Sequence, residues 1–354
     1  VTNSSLPIAV VAESLDVLPD PVILIDRRAS VVLANRAARS SFPSIVVGGP
    51  VAFALRMPEA VTAIDRALAG ERGISIEFTA RGRSERHFAM RISALDAREG
   101  ERSAPVAVIA LRDLTEARRL DTMRVDFVAN ASHELRTPLA SLLGFIETLQ
   151  GSAKDDPAAR ARFLDVMLSQ ARRMARLVDD LLSLSRVEMN EHRSPSGTVD
   201  IGAVARQTAD LLAGLAAENG VEIRCSVAEH ADLRVSGEPD DLLRVAENLV
   251  GNAVRYGASG KIIEIEVERR EGISGDEVTL AVRDHGPGIP AEHIPRLTER
   301  FYRAAAGDGI GKGGTGLGLA IVKHVLNRHR ARLAIESRLG EGSVFRASFP
   351  ALRP

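Results

Sequence analysis

The residues Phe163, Met167, Gln170, Met174, Leu177, Leu181 and Leu184 recur at spacings of 4, 3, 4, 3, 4 and 3. Apolar groups repeating every 3.5 residues on average form a seam along one side of an α-helix. A strand alternates with period two and cannot carry this pattern. Such a helix is stabilised mainly by a neighbour that covers the seam. An earlier stretch supplies one, with Leu120, Met123, Phe127, Ala131, Leu135, Leu139, Leu142, Ile146 and Leu149 at helical spacing. Residues 151–157 open with Gly151, close with Pro157 and break the two apart. The pattern predicts an antiparallel helical hairpin within 113–192. A hairpin alone leaves apolar faces uncovered, so pairing with a second copy into a four-helix bundle is the economical solution. The alternative is two core helices of a larger domain.

The regions on either side read differently, which makes the chain a multidomain α+β protein. Residues 13–112 carry β-rich runs separated by polar turns, at 22–26, 31–35, 74–78, 87–92 and 106–111, with a helix-prone segment over 35–71. Their alternation predicts a half-buried antiparallel sheet. Residues 193–197 form a Pro/Gly/Ser break. Beyond it, over 198–352, helices are predicted near 200–217, 239–256 and 318–329. Strands are predicted at 221–227, 261–269, 277–283, 332–337 and 344–349.

Composition removes several function classes. A length of 354 residues suits two or three domains. A net charge of −1 makes no bulk electrostatic case for nucleic acid or membrane binding. Aromatic residues make up 3% of the chain and tryptophan is absent, which argues against base-stacking platforms. Cys225 is the single cysteine, so no internal disulfide can form, and its alternating apolar surroundings predict a core position. No run reaches the roughly 18 apolar residues that suggest a spanning helix. The run at 6–12 is too short for a signal peptide and lacks a basic leader. The chain starts at Val1, and the expectation is a cytoplasmic part of a parent protein that would carry any inner-membrane anchor upstream.

The first predicted helix contains Ser132-His133-Glu134-Leu135-Arg136-Thr137-Pro138. At about 100° per residue, His133 lies about 200° and about 160° around the helix from Ala131 and Leu135. It therefore faces solvent. An exposed imidazole is largely uncharged and nucleophilic at neutral pH. A carboxylate beside it, Glu134, can take a ring proton. Pro138 removes the donor that would bond the Glu134 carbonyl. Taken alone, the pair reads equally as an incidental surface histidine beside a charge.

Four clusters in the last third form a set. In Glu247-Asn248-Leu249-Val250-Gly251-Asn252-Ala253-Val254-Arg255-Tyr256, Asn248 and Asn252 share a helix face. Amide oxygens at that spacing can hold Mg²⁺ through Asn252, with Asn248 or Glu247 acting through water. Arg255 can reach phosphate and Tyr256 a nucleoside. Asp284-His285-Gly286-Pro287-Gly288 follows a predicted strand, where a buried Asp284 suits an adenine amino group and Gly286 and Gly288 let backbone approach the base. Arg300-Phe301-Tyr302-Arg303 can anchor one end of a mobile loop over 304–313. Gly311-Lys312-Gly313-Gly314-Thr315-Gly316-Leu317-Gly318-Leu319 exposes backbone N–H groups just before a helix, a ready anion site. Each cluster alone has a plain reading as solvated helix face, turn, packing or loop.

Together the four clusters resemble, in order and spacing, the boxes of the Bergerat-type ATP-binding fold, an α/β sandwich. That fold is shared by histidine kinases, Hsp90-like chaperones, gyrase-like topoisomerases and MutL-like repair proteins. No Gly-x-x-x-x-Gly-Lys-[Ser/Thr] loop occurs. Residues 127–138 resemble the phosphoacceptor box of the HisKA histidine kinases. The resemblance implies that His133 accepts the γ-phosphoryl group of ATP, that Glu134 is the general base, and that Thr137 positions water when a partner is dephosphorylated. It implies Asn248, Asn252, Arg255, Tyr256, Asp284, Gly286, Gly288, Phe301, Gly314, Thr315, Gly316, Leu317 and Gly318 as nucleotide contacts. It also implies Mg²⁺, a homodimer, and a response regulator whose aspartate takes the phosphoryl group. The stretches 297–303 and 314–328 are similar to PhoR-like phosphate-regulon sensors. Residues 13–112 resemble a PAS domain, through the strand-turn-strand start with Asn35 and the triplet Asp113-Leu114-Thr115, which in that family bonds back to the sensor domain. The alternative for the triplet is a simple helix cap. A non-kinase ATPase of the same fold and a phosphatase-biased signalling scaffold are the rival readings.

Overall fold

The computed structural model describes residues 8–81, 85–95, 106–190, 193–272, 275–304 and 314–352. The chain divides into two compact units, Val1–Asp126 and Phe127–Pro354.

In the first unit, α1 (Ile8–Asp16) precedes β1 (Val22–Ile25) and β2 (Val31–Ala34). α2 (Arg36–Ser41) and α3 (Pro58–Leu68) follow, then β3 (Ile74–Arg81), β4 (Glu85–Ala94) and β5 (Ala107–Asp113). The strands form an antiparallel sheet in the order β2-β1-β5-β4-β3. The predicted alternation is seen directly: Phe88, Met90 and Ile92 of β4, and Ala107, Ile109 and Leu111 of β5, are buried. They meet Ala60, Ala63, Ile64 and Ala67 of α3 in one core. α3 starts at Pro58, whose missing N–H costs nothing at a first helical position.

Asn35 is fully buried and holds this unit's entry together. Its side-chain oxygen accepts from Val22 N and from Ala38 N, both at 2.9 Å, so it caps α2 and fixes β1. Its amide donates to the carbonyls of Leu15 (3.0 Å) and Asp20 (2.9 Å). At the exit, Leu114 N donates to the His87 carbonyl (2.8 Å) and Thr115 Oγ1 accepts from His87 N (3.0 Å). Asp113 pairs with Arg86 at 2.5 Å and its Oδ1 accepts from Thr115 N at 2.9 Å. The triplet therefore both caps the next helix and ties it back to β4.

That helix, α4 (Thr115–Gln150), is 36 residues long and continues into the second unit. α5 (Pro157–Asn190) has 34 residues and is capped by Asp156, which accepts from Ala158 N and Ala159 N at 3.0 Å each. The rings of Phe145 and Phe163 stack 5.2 Å apart, and Glu134 meets Arg173 at 2.8 Å. These pairings run in opposite directions along the two helices, so the hairpin is antiparallel. Every residue of the Phe163 to Leu184 seam is at least partly buried. A second apolar stripe on α5, Leu164, Leu168, Val178 and Leu182, is exposed, as are Leu139 and Leu143 of α4. The Leu120 side chain lies outside the described residues.

The rest of the unit comprises β6 (Thr198–Asp200), α6 (Ile201–Glu218), β7 (Glu222–Val227), β8 (Arg234–Ser236), α7 (Pro239–Tyr256), β9 (Ile262–Gly272), β10 (Gly275–Asp284), α8 (Gly318–Arg328), β11 (Arg332–Arg338) and β12 (Gly342–Pro350). Five strands form a sheet in the order β11-β12-β10-β9-β7, parallel only between β7 and β9. Helices α6, α7 and α8 pack against it. On β9, Ile263, Ile265 and Val267 enter the core while Glu264, Glu266 and Glu268 take the other face. Leu177, Leu184 and Val187 of α5 belong to this same core.

Cys225 departs from expectation, because it is exposed. It lies on β7, the edge strand of the sheet, with the charged Arg206 and Asp210 of α6 near enough to act on its thiol. No described helix is long and apolar enough to cross a membrane.

Asn35→Ala leaves the Val22 and Ala38 N–H groups without this acceptor and is expected to cost about 2–4 kcal/mol. Calorimetry of the full chain should show the transition of the first unit at lower temperature, and an unchanged transition contradicts the assignment.

Candidate functional site

The site is built on α7. Pro239 opens this helix, and Asp240 and Asp241 in its first turn complement the helix dipole. Leu242, Val245, Ala246, Leu249, Val250, Ala253 and Val254 form the apolar stripe that binds it to the core. The stripe turns Glu247, Asn248, Asn252, Arg255 and Tyr256 toward a cavity of about 800 Å³. Asn248 donates its amide N–H to the Arg244 carbonyl at 2.9 Å, which leaves Oδ1 as the atom available at the cavity.

Asp284 ends β10 at the far side of the cavity and is buried. Burial raises its pKa above the ordinary carboxylate value, opposed by hydrogen bonds from Gly286 N (2.9 Å) and Ser343. Burial likewise raises Glu247 and lowers the Arg255 guanidinium. A buried guanidinium without an ideal counter-charge favours an anion beside it.

The glycine-rich segment closes the third side through Gly314, Thr315, Gly316 and Gly318. Gly316 has φ of 73°, and a Cβ there would come within 2.8 Å of the Phe301 backbone. Phe301 N donates to the Gly316 carbonyl at 2.9 Å, so the two segments are clasped. A Cβ on Gly318 would lie 2.4 Å from Asn248 Oδ1. Residues 305–313, which include most of the expected mobile loop and Gly311-Lys312-Gly313, lie outside the described residues.

Ten of the expected nucleotide residues thus line one cavity: Asn248, Asn252, Arg255, Tyr256, Asp284, Gly288, Gly314, Thr315, Gly316 and Gly318. Gly286, Phe301 and Leu317 stand behind its wall. Leu317 is fully buried in the core. The Phe301 ring faces Phe127 of α4 at 5.9 Å. Gly286 serves Asp284 through its backbone N–H.

His133 is exposed on α4 and does not line the cavity. The Glu134 carboxylate is held by Arg173 of α5 at 2.8 Å. The Thr137 hydroxyl donates to the His133 carbonyl at 3.2 Å, a local helix bond. Sequence reasoning missed Arg176, Asp179 and Asp180 of α5, together with Arg244 and Ser343, all in the cavity wall, which Arg303 of the Phe301 cluster also joins. Asp179 and Asp180 flank the heptad seam and read there as solvated charges.

Among the described residues no group of three or more His, Cys, Asp or Glu forms a metal cluster. The Asn248 and Asn252 amides and the Glu247 carboxylate are hard oxygen donors on successive turns of α7. Mg²⁺ binds through one or two protein oxygens while keeping waters and substrate phosphates, so this donor set fits it.

Three family models match the chain. Residues 15–119 match the PAS fold, residues 123–190 the His Kinase A (phospho-acceptor) domain, and residues 237–353 the histidine kinase-, DNA gyrase B- and HSP90-like ATPase. The cavity therefore belongs to an ATP-binding domain of that class, joined to a phosphoacceptor hairpin. The chain belongs to the sensor histidine kinase family. It is 40% identical over 242 residues to the phosphate regulon sensor protein PhoR of Pseudomonas aeruginosa, covering 68% of this chain and 53% of that protein. It is 35% identical over 246 residues to the sensor-like histidine kinase SenX3 of Mycobacterium tuberculosis, covering 70% and 58% respectively. The chain thus spans a little over half the length of these relatives. Histidine kinase AdeS of Acinetobacter baumannii superimposes with a TM-score of 0.49 at 24% identity, covering 62% of this chain and 98% of that one.

Gly318→Ala is expected to push the Asn248 amide out of place and to weaken ATP binding about fivefold or more, a loss of about 1 kcal/mol or more. Titration calorimetry with ATP checks this, and unchanged affinity in a folded variant contradicts it.

Proposed function

We propose that the chain is the catalytic part of a two-component sensor kinase that phosphorylates itself on His133 with Mg²⁺-ATP. One observation carries the reading. An exposed histidine, followed by a carboxylate held in place by Arg173, shares a folded unit with a cavity walled by Asn248, Asn252, Asp284 and the glycine-rich segment. Asp284 accepts from the adenine amino group. Arg255 and the N–H groups at the start of α8 hold phosphates. Asn252 would hold Mg²⁺, with Asn248 or Glu247 acting through water, and the ion when bound would supply charge neutralisation for the phosphates.

In the transfer step a ring nitrogen of His133 forms a bond to the γ-phosphorus. The bond from that phosphorus to the β–γ bridging oxygen breaks, and ADP leaves with the electron pair. Glu134 takes the ring proton. Positioning and electrostatic stabilisation provide most of the acceleration. The phosphoryl group then passes to an aspartate of a response regulator, and Thr137 orients water when that regulator is dephosphorylated. The exposed stripe of Leu164, Leu168, Val178 and Leu182 supports a homodimer joined through the hairpins. Residues 13–112 serve as the sensor domain, 113–192 as the dimerisation and phosphotransfer domain, and 198–352 as the ATP-binding domain. The protein works on the cytoplasmic side.

Incubation with γ-labelled ATP tests the reading. The expected product is an acid-labile, alkali-stable label that disappears in His133→Gln. Glu134→Gln is expected to slow labelling by about 10²-fold or more with little change in ATP affinity. Free phosphate without labelled protein would instead favour a non-kinase ATPase, and ATP binding with neither product would favour a signalling scaffold.

A further inference from the structure

Asp180 belongs to α5 of the phosphoacceptor hairpin, yet its carboxylate enters the cavity of the ATP-binding domain. Its Oδ2 accepts the Thr315 hydroxyl at 2.7 Å, across 135 residues of sequence. Thr315 stands three residues before α8, whose first-turn N–H groups form the anion seat of the site. Arg244 and Arg255, both in the cavity wall, draw Asp180 toward its charged form. Burial works against that charge and raises the Asp180 pKa. Arg255 in turn is helped to stay charged by Asp180. A carboxylate with a hydroxyl donor and two guanidinium neighbours, beside a helix N-terminus, has the surroundings of a bound phosphate.

Other contacts hold α5 against the ATP-binding domain and bring Asp180 there. Arg300 meets Glu188 at 2.6 Å, and Leu177, Leu184 and Val187 are buried in the domain core on either side of Asp180. In this arrangement His133 does not line the cavity. Asp180 lies seven residues beyond Arg173, the partner of Glu134, which places it about 10 Å along α5 from the level of His133. No residue of α4 lines the cavity among the described residues.

We propose that Asp180 is a residue of the nucleotide site that competes with the phosphates of ATP for Thr315 and its cationic surroundings. ATP displaces the carboxylate, loosens α5 from the ATP-binding domain, and frees that domain to approach His133. By linkage, the factor by which docking of Asp180 weakens ATP binding equals the factor by which ATP weakens docking.

The proposal rests on the cavity being the ATP site, and the test separates the two. ATP is titrated calorimetrically into the full chain, wild type, Asp180→Ala and Asp180→Asn, with His133 labelling followed in parallel. Asp180→Ala is expected to bind ATP about fivefold or more tightly and to label faster at subsaturating ATP. Asp180→Asn keeps an acceptor for Thr315 and loses the charge, so it is expected to recover at least part of that gain. In the wild type, saturating ATP is expected to raise amide hydrogen exchange over 176–188. If the wild type binds ATP and labels His133 while neither variant binds ATP more tightly, the competition is overturned and the kinase reading stands. If the wild type binds no ATP, both fall. Should neither variant fold, exchange in the wild type decides, and no rise over 176–188 overturns the proposal.

Discussion

Burial of Leu177, Leu184 and Val187 of α5 against the ATP-binding domain is the contact on which the site's geometry depends. Each fully buried aliphatic side chain is worth about 1.5–3 kcal/mol relative to exposure, enough to fix which turns of α5 face the domain. The seam cannot serve one partner alone along its whole length. Near the hairpin turn it faces α4, where Phe163 stacks on Phe145. Toward its C-terminus it enters the core of the sheet domain. A helix rotates about 100° per residue, so once Leu177 and Leu184 are buried, Asp180 between them is carried to the cavity edge and Leu182 to the outside.

The same constraint explains what the sequence made legible. Periodicity of 3.5 and of two survives in the residues themselves, so the hairpin, the sheet of the first unit and the strands of the second were readable along the chain. The nucleotide cluster around Asn248 and Asn252 was readable because α7 places both on one face within a single turn. Asp180 was not. Its partner Thr315 is remote in sequence, and the pairing exists only because two separately legible elements dock. Nothing in Asp179-Asp180 distinguishes a cavity carboxylate from a solvated one until the docked surface is known. Cys225 failed for a related reason. Alternation does not tell that β7 lies at the edge of the sheet, where its residues are only partly covered. The short elements β6, β8 and α1 escaped because three to nine residues carry too little periodic signal.

The residues behind the wall show how a motif can be right as a set while its members do different work. Leu317 secures the start of α8 by full burial, and Gly286 holds Asp284 through its backbone N–H. Phe301 has a left-handed backbone, φ of 62°, and its amide is bonded to Gly316, whose own φ is 73°. Two positive φ values facing each other bring the strands of the clasp closer than any Cβ on Gly316 permits. The glycine is therefore required by Phe301, independently of any phosphate.

Electrostatics then sets the balance between open and docked arrangements. Arg255 is buried enough for its guanidinium to be penalised, and the nearby Arg176 adds to that penalty. Negative charge beside Arg255 offsets that penalty. Without nucleotide, the nearest carboxylate brought by α5 is Asp180, itself penalised by burial. Each of the two charges therefore makes the other tolerable, and neither is well solvated. A triphosphate carries more negative charge than one carboxylate and can satisfy Arg255 without help from α5. Once it does, Asp180 keeps the cost of burial and loses much of its compensation, while the apolar contacts of Leu177, Leu184 and Val187 still favour docking. ATP thus shifts docking only by the difference in its affinity for the docked and undocked arrangements. An apolar residue at position 180 would remove this charge competition and leave Arg176 and Asp179 as the charged α5 side chains in the cavity wall.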